Sequence, residues 1–388
     1  MIGLDQDGMV QALNLTKAGR LAEATDVIQR TLGSSSNGGS SRNIDRPKLF
    51  SRLATPRHWP LASMQSSQMP LQSPDMFQHQ GPPPGSLGAG ALLDRTYANG
   101  SSTGRYMVYV PPDHPSSGAP VIVMLHGGTQ AVVDYAAGTG MNKLADQHHF
   151  LVVYPEQAVR ANPMRYWNWF RPQDQRAGSG EPALIAGITE QVIRDYDADP
   201  DRVYIVGFSA GAAMAIVMAA TYPSLYAAAG VHSGLPYGAA HDVPSAFALM
   251  RGETLLSRQG AMLRIPLIVF HGDHDQIVNV VNARHIRQQR LGVDGAPIAA
   301  DGPQTMNGQV SNGHTYTQTT YSSEAQVFLE EWIVHGAGHA WFGGTPGCSY
   351  TDPRGPDASA EMLRFFSELP SSTPDRSVEE RPGRSSLG

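Results

Sequence analysis

Five short runs of this chain carry almost nothing but apolar side chains, at residues 120–125, 150–154, 203–206, 227–231 and 267–270. A strand can be apolar on successive residues only if both of its faces are covered, which is the condition inside a parallel sheet. Between the runs lie segments patterned for helix. Residues 141–148 precede the second run, and residues 181–196 carry Leu184, Ile188, Val192 and Ile193 on one face. Strands alternating with helices predict an α/β fold, a mostly parallel central sheet flanked by helices on both faces. Residues 105–110 read as an edge strand, and 316–321 with 327–334 as a late strand pair. Asp357 or Ser359 is placed to cap a last helix running to about residue 369.

The rest of the chain has a different composition. Residues 1–32 show helical spacing broken at Gly19, and residues 33–90 are rich in Ser, Gly, Pro and Gln, as a flexible linker would be. The expected organisation is a helical segment at 1–32, a linker at 33–90, the α/β domain at 91–370 and a disordered tail at 371–388. A net charge of −6 without basic clusters argues against nucleic acid as partner, and no apolar run is long enough to insert in a membrane. The single cysteine, Cys348, excludes an intrachain disulfide, and the opening residues lack the basic and apolar regions of a signal peptide. The expectation is a cytoplasmic protein. Nothing in the sequence sets its oligomeric state.

Gly207-Phe208-Ser209-Ala210-Gly211 has the form G-x-S-x-G, a sharp strand-to-helix turn that presents a serine hydroxyl above a sheet. Small residues are needed where the turn is tightest. The form alone is weak, since Gly100-Ser101-Ser102-Thr103-Gly104 also matches. Context separates the two. Ser102 has no helix after it, whereas Ser209 stands between an apolar strand and the helix-compatible stretch 212–218. Ser209 is therefore the candidate nucleophile.

A serine hydroxyl attacks only if a neighbouring base takes its proton and an acceptor holds that base in one tautomer. The strand at 267–270 ends in His271-Gly272-Asp273-His274-Asp275, offering two carboxylates. Among 14 histidines, His335 and His339 both follow the strand ending at Val334. His339 is the better candidate, because Gly336-Ala337-Gly338 lets its loop bend back over the sheet. For the oxyanion, Ala210 is one expected backbone donor, and Gly128, in the turn His126-Gly127-Gly128-Thr129-Gln130, is the other.

Together with Tyr154-Pro155-Glu156-Gln157, Trp167-Asn168-Trp169-Phe170 and Gly338-His339-Ala340-Trp341, these segments resemble the polyhydroxybutyrate (PHB) depolymerase family of esterases, over roughly residues 92–369. The resemblance implies an α/β-hydrolase fold and a Ser-His-Asp carboxylesterase needing no metal or cofactor. Its substrate would be a small or polymeric ester, hydroxyalkanoate or acyl/aryl, with feruloyl and acetylxylan esters as the alternative. In related sequences the acid stands three residues before a valine, which selects Asp275 over Asp273; Asp273 is then expected to bond local loop amides. Many members have Cys where Gly128 and Tyr166 stand, so the loop carrying Trp167 is expected to be held by packing alone. Rival readings are a serine peptidase and a non-catalytic binding protein on the same fold. On the substrate side, Trp167 and Trp341 are the expected contacts, and residues 237–260 a partial lid.

Overall fold

The computed structural model describes residues 82–100, 102–253, 263–292, 302–323 and 326–370. The expected helical segment at 1–32, most of the linker, the tail and residues 254–260 of the 237–260 excursion lie outside them. Among the described residues, ten strands form one sheet in the order β1-β2-β4-β3-β5-β6-β7-β10-β9-β8. They are β1 (Ala91–Asn99), β2 (Ser102–Val110), β3 (Val121–Leu125), β4 (Leu151–Pro155), β5 (Val203–Phe208), β6 (Ala228–His232), β7 (Leu267–Gly272), β8 (Gln304–Gln309), β9 (Thr315–Ser323) and β10 (Gln326–Val334). The six central strands, from β4 through β10 in that order, run parallel, and antiparallel pairs close both margins.

Burial explains the apolar runs. In β3, Val121, Val123 and Leu125 enter one core while Ile122 and Met124 enter the other. In β5, Val203 and Ile205 take the first side, and Tyr204, Val206 and Phe208 the second. The first core is covered by α3 (Gly180–Asp195), α4 (Ala210–Thr221), α5 (Val243–Met250) and α6 (Val281–Leu291). The second is covered by α1 (Val132–Thr139), α2 (Met141–His148) and α7 (Ala358–Glu368), the last capped by Asp357.

Two expectations change at the sheet's first margin. The strand expected at the edge, β2, lies inside the sheet, because Ala91–Asn99 forms a further strand paired to it from Ala91↔Val110 to Asn99↔Ser102. Ser102 thus begins a hairpin strand. Residues 89 and 90, expected within the linker, are docked: Ala89 donates its amide to Asp146 Oδ2 at 2.7 Å and Gly90 to Tyr109 Oη at 2.6 Å. The β1 pattern escapes notice because only Tyr97 of its nine residues is buried.

Candidate active site

Ser209 sits where β5 meets α4, at φ 55° and ψ −119°. That conformation costs a non-glycine residue roughly 1–3 kcal/mol and persists only where surroundings enforce it. They do so here. Ser209 donates its amide to His232 O at 2.9 Å, and a Cβ on Gly207 would fall 2.2 Å from Gly211 O. A Cβ on Gly211 would fall 2.1 Å from Leu125 O. The two glycines of the motif are therefore close-approach positions, one inside the turn and one against β3.

The base and acid arrive from neighbouring strands. β10 lies beside β7 with Val334 opposite Gly272, so the loops that follow them run together. A Cβ on Gly272 would meet Ala337 O at 2.2 Å, and His274 donates its amide to Ala337 O at 3.0 Å. His339 is brought with Nε2 2.9 Å from Ser209 Oγ and Nδ1 2.7 Å from Asp275 Oδ2. All three side chains are buried or nearly so. Asp275 Oδ1 accepts the amides of Ile277 at 2.9 Å and Val278 at 2.8 Å. Burial alone would raise the Asp275 carboxyl, but the imidazoles of His339 and His271 outweigh it and hold the group well below the usual carboxylate range. The acid stays ionised, so Nδ1 of His339 carries the proton and Nε2 faces the hydroxyl as acceptor.

Asp273 does something other than expected. Its Oδ2 accepts from His335 Nδ1 at 2.8 Å and its Oδ1 from the Gly336 amide at 2.7 Å. The local amide-bonding role falls to Asp275 itself. The two residues that competed in the sequence are thus paired with each other, and they clamp the start of the loop that carries His339.

In the turn after β3, Gly127 donates its amide to Gln130 Oε1 at 2.9 Å and Thr129 to Met164 O at 2.8 Å. The amides of Gly128 and Ala210 have no acceptor among the described residues, the condition an oxyanion hole requires. His126 stays neutral beneath them, its ring pushed down to about 4 by burial, accepting the Gln157 amide on Nε2 at 3.1 Å.

Three expectations about aromatic and loop residues are corrected. Trp167 is fully buried and donates Nε1 to His126 O at 3.1 Å, under the oxyanion turn rather than in a cleft. Trp341 is 2% exposed, stacked on His232 and bonded through Nε1 to Ser359 Oγ at 3.1 Å. Both are core. The loop carrying Trp167 is held by more than packing. The buried Glu181, in the first turn of α3, accepts from Gln157 Nε2 at 2.6 Å, from the Asn168 amide at 2.7 Å and from Asn168 Nδ2. The ring of Tyr166 lies over Gly128, where a Cβ would come within 2.0 Å of it. Glu181 was missed in the sequence, although a carboxylate among apolar neighbours at a helix start is a recognisable signal. Tyr350, next to the site, carried none. Among the described residues no three His, Cys, Asp or Glu side chains converge as metal ligands.

A profile of the family described as Esterase PHB depolymerase matches residues 104–310. Poly(3-hydroxyalkanoate) depolymerase C of Paucimonas lemoignei is 32% identical over 251 residues, covering 61% of this chain and 58% of that protein. Acetylxylan esterase A of Emericella nidulans is 34% identical over 164 residues, 42% of this chain and 51% of that protein. Feruloyl esterase B of Thermothelomyces thermophilus is 27% identical over 269 residues, 65% of this chain and 89% of that one. The chain thus spans little more than half the length of the first two. A solved acetyl xylan esterase from Aspergillus awamori superposes with a TM-score of 0.58 at 22% identity, over 72% of this chain and all of that one, a likeness of fold. With the profile match over more than half its length, the chain belongs to the PHB depolymerase esterase family.

Proposed function

We propose that this protein hydrolyses carboxylic esters through an acyl-enzyme on Ser209, with hydroxyalkanoate or related short-chain acyl or aryl esters as substrates. The observation that carries the reading is the unbroken relay Ser209 Oγ, His339 Nε2, His339 Nδ1, Asp275 Oδ2, at 2.9 and 2.7 Å. Ser209 Oγ attacks the ester carbonyl carbon as its proton passes to His339 Nε2. The amides of Gly128 and Ala210 stabilise the oxyanion, each by about 3 kcal/mol. The tetrahedral intermediate collapses as His339 returns the proton to the leaving alkoxide oxygen, which departs as the alcohol. Water, deprotonated by the same nitrogen, then attacks the acyl carbon and frees the acid and Ser209. Asp275 remains a carboxylate throughout.

Feruloyl or acetylated-glycan esters are the second reading, favoured by the near full-length match to a relative named for feruloyl esters. Purified protein assayed on p-nitrophenyl esters of increasing chain length, methyl ferulate and a PHB suspension separates them. Turnover should vanish in Ser209→Ala together with labelling by a fluorophosphonate. Labelling that persists in that variant moves the nucleophile elsewhere, and a wild-type protein that neither turns over nor labels is a binding protein instead.

A further inference from the structure

With both tryptophans in the core, the aromatic surface beside the triad belongs to a residue the sequence did not mark. Tyr350 is 37% exposed, and its ring stands edge-on to the imidazole of His339 at 6.4 Å between centroids, with Phe208 beneath it at 6.2 Å. Its hydroxyl lies 3.3 Å from Thr129 Oγ1, the residue after Gly128. The Thr129 hydroxyl already donates to Gly128 O at 2.6 Å, so in that contact Tyr350 is the donor. Tyr350 therefore bridges the base and the oxyanion turn along the rim of the site.

Its backbone is fixed from both sides. Tyr350 holds φ 53°, a left-handed conformation unfavourable for a bulky residue. Ser349 before it bonds Asp134 through both its amide and its hydroxyl, and Gln130 Nε2 donates to Ser349 O at 3.3 Å. Its own carbonyl accepts the Trp341 amide at 2.7 Å. An exposed aromatic ring held so firmly meets a ligand without first being ordered.

We infer that Tyr350 is a specificity-determining residue that walls the alcohol side of the cleft and favours esters of apolar or aromatic alcohols. The inference rests on the hydrolase reading above. For His339 Nε2 to protonate the leaving oxygen, that oxygen must come within about 3 Å of it. The atoms bonded to the oxygen then lie beside the imidazole, where the Tyr350 ring offers exposed aromatic surface.

One arm of the test holds the acyl group constant, so that both acetates give the same acyl-enzyme and their difference reports the alcohol alone; the other holds the alcohol constant and varies the acyl chain. kcat/KM is measured for methyl and benzyl acetate, and separately for methyl acetate, butyrate and hexanoate, in wild type, Tyr350→Phe and Tyr350→Ala. Tyr350→Ala should lower the benzyl-to-methyl ratio about tenfold and leave the acyl-chain profile unchanged, while Tyr350→Phe stays within about twofold of wild type. A loss equal for both alcohols, or one that grows with acyl length, overturns the assignment. If Tyr350→Ala is too unstable to assay, Tyr350→Leu keeps an apolar wall of smaller area and is held to the same ratio. Should the wild-type protein turn over no ester and take no fluorophosphonate at Ser209, the hydrolase reading fails and this inference falls with it.

Discussion

Gly128 shows how much a single missing side chain decides. Its amide is the one in its turn left without an acceptor, and the ring of Tyr166 occupies the volume any Cβ would need, 2.0 Å from a ring carbon. Tyr166 is itself partly buried and packed against the first core, its phenol pushed up to about 12 by burial and by the neighbouring Tyr350. The ring therefore cannot swing away freely, and Gly128→Ala must move the turn instead. Displacing one oxyanion donor costs about 10²–10³ in kcat. We expect Gly128→Ala to lose about a hundredfold in kcat with a small change in KM. Gly128→Ala combined with Tyr166→Ala should regain at least tenfold, because the obstruction is removed. Steady-state kinetics of the two single variants and the double variant check this, and a double variant no better than Gly128→Ala counts against it. The sequence disclosed the glycine as part of a turn but not its partner, since Tyr166 lies 38 positions away and only the fold brings the ring over.

At the scale of elements, the loop between β4 and α3 is held to the oxyanion turn by a buried carboxylate. Glu181 bonds Gln157 and Asn168; Gln157 in turn bonds Tyr166 O and, through its amide, His126. Burial is the largest influence on Glu181 and pushes its carboxyl up to about 7, although the hydrogen bonds partly offset this. A carboxyl raised on folding binds its proton more tightly in the folded state. Its contribution is fully present below the unfolded value near 4.5 and is lost as pH rises through about 7. Wild type should therefore lose stability relative to Glu181→Gln between those values, by about 3 kcal/mol in total. Urea unfolding of both proteins at pH 4.5, 5.5, 6.5 and 7.5 reads the difference directly, and a constant offset across the series would exclude Glu181 as its source. The strands were legible because each apolar run must be covered on both faces, and the convergence of Ser209, Asp275 and His339 because each stands just past a strand of the parallel sheet, β5, β7 and β10, in chain order. The direction of individual side chains was not. Trp167 and Trp341 carry the composition of a cleft wall, yet each finds its buried Nε1 an acceptor, His126 O or Ser359 Oγ, and so belongs to the core.

For the molecule as a whole, the site depends on β10 lying beside β7, and α7 helps to keep it there from the second face. Glu330, in the middle of β10, is 2% exposed and accepts from Trp332 Nε1 at 2.6 Å and from Arg364 Nη2 of α7 at 2.5 Å. Burial raises the Glu330 carboxyl, with Arg364 opposing that shift most strongly. The pair is a seam between helix and sheet, outside the triad and its loops. A buried charge stripped of its partner is strongly destabilising, commonly by 3–5 kcal/mol, whereas replacing both partners is often neutral. Arg364 is partly exposed, so water tempers the loss, and Arg364→Met should cost about 2–4 kcal/mol. Arg364→Met with Glu330→Gln should recover about half of that, since no ion remains buried. At temperatures where each variant is folded, kcat/KM on a p-nitrophenyl ester should stay within about twofold of wild type, because no group that touches the reacting atoms has moved. Denaturation midpoints that fall without a matching loss of kcat/KM are the expected result. A loss of kcat/KM in the folded variants would mean that the β7–β10 seam transmits strain from Glu330 into the loop that holds His339.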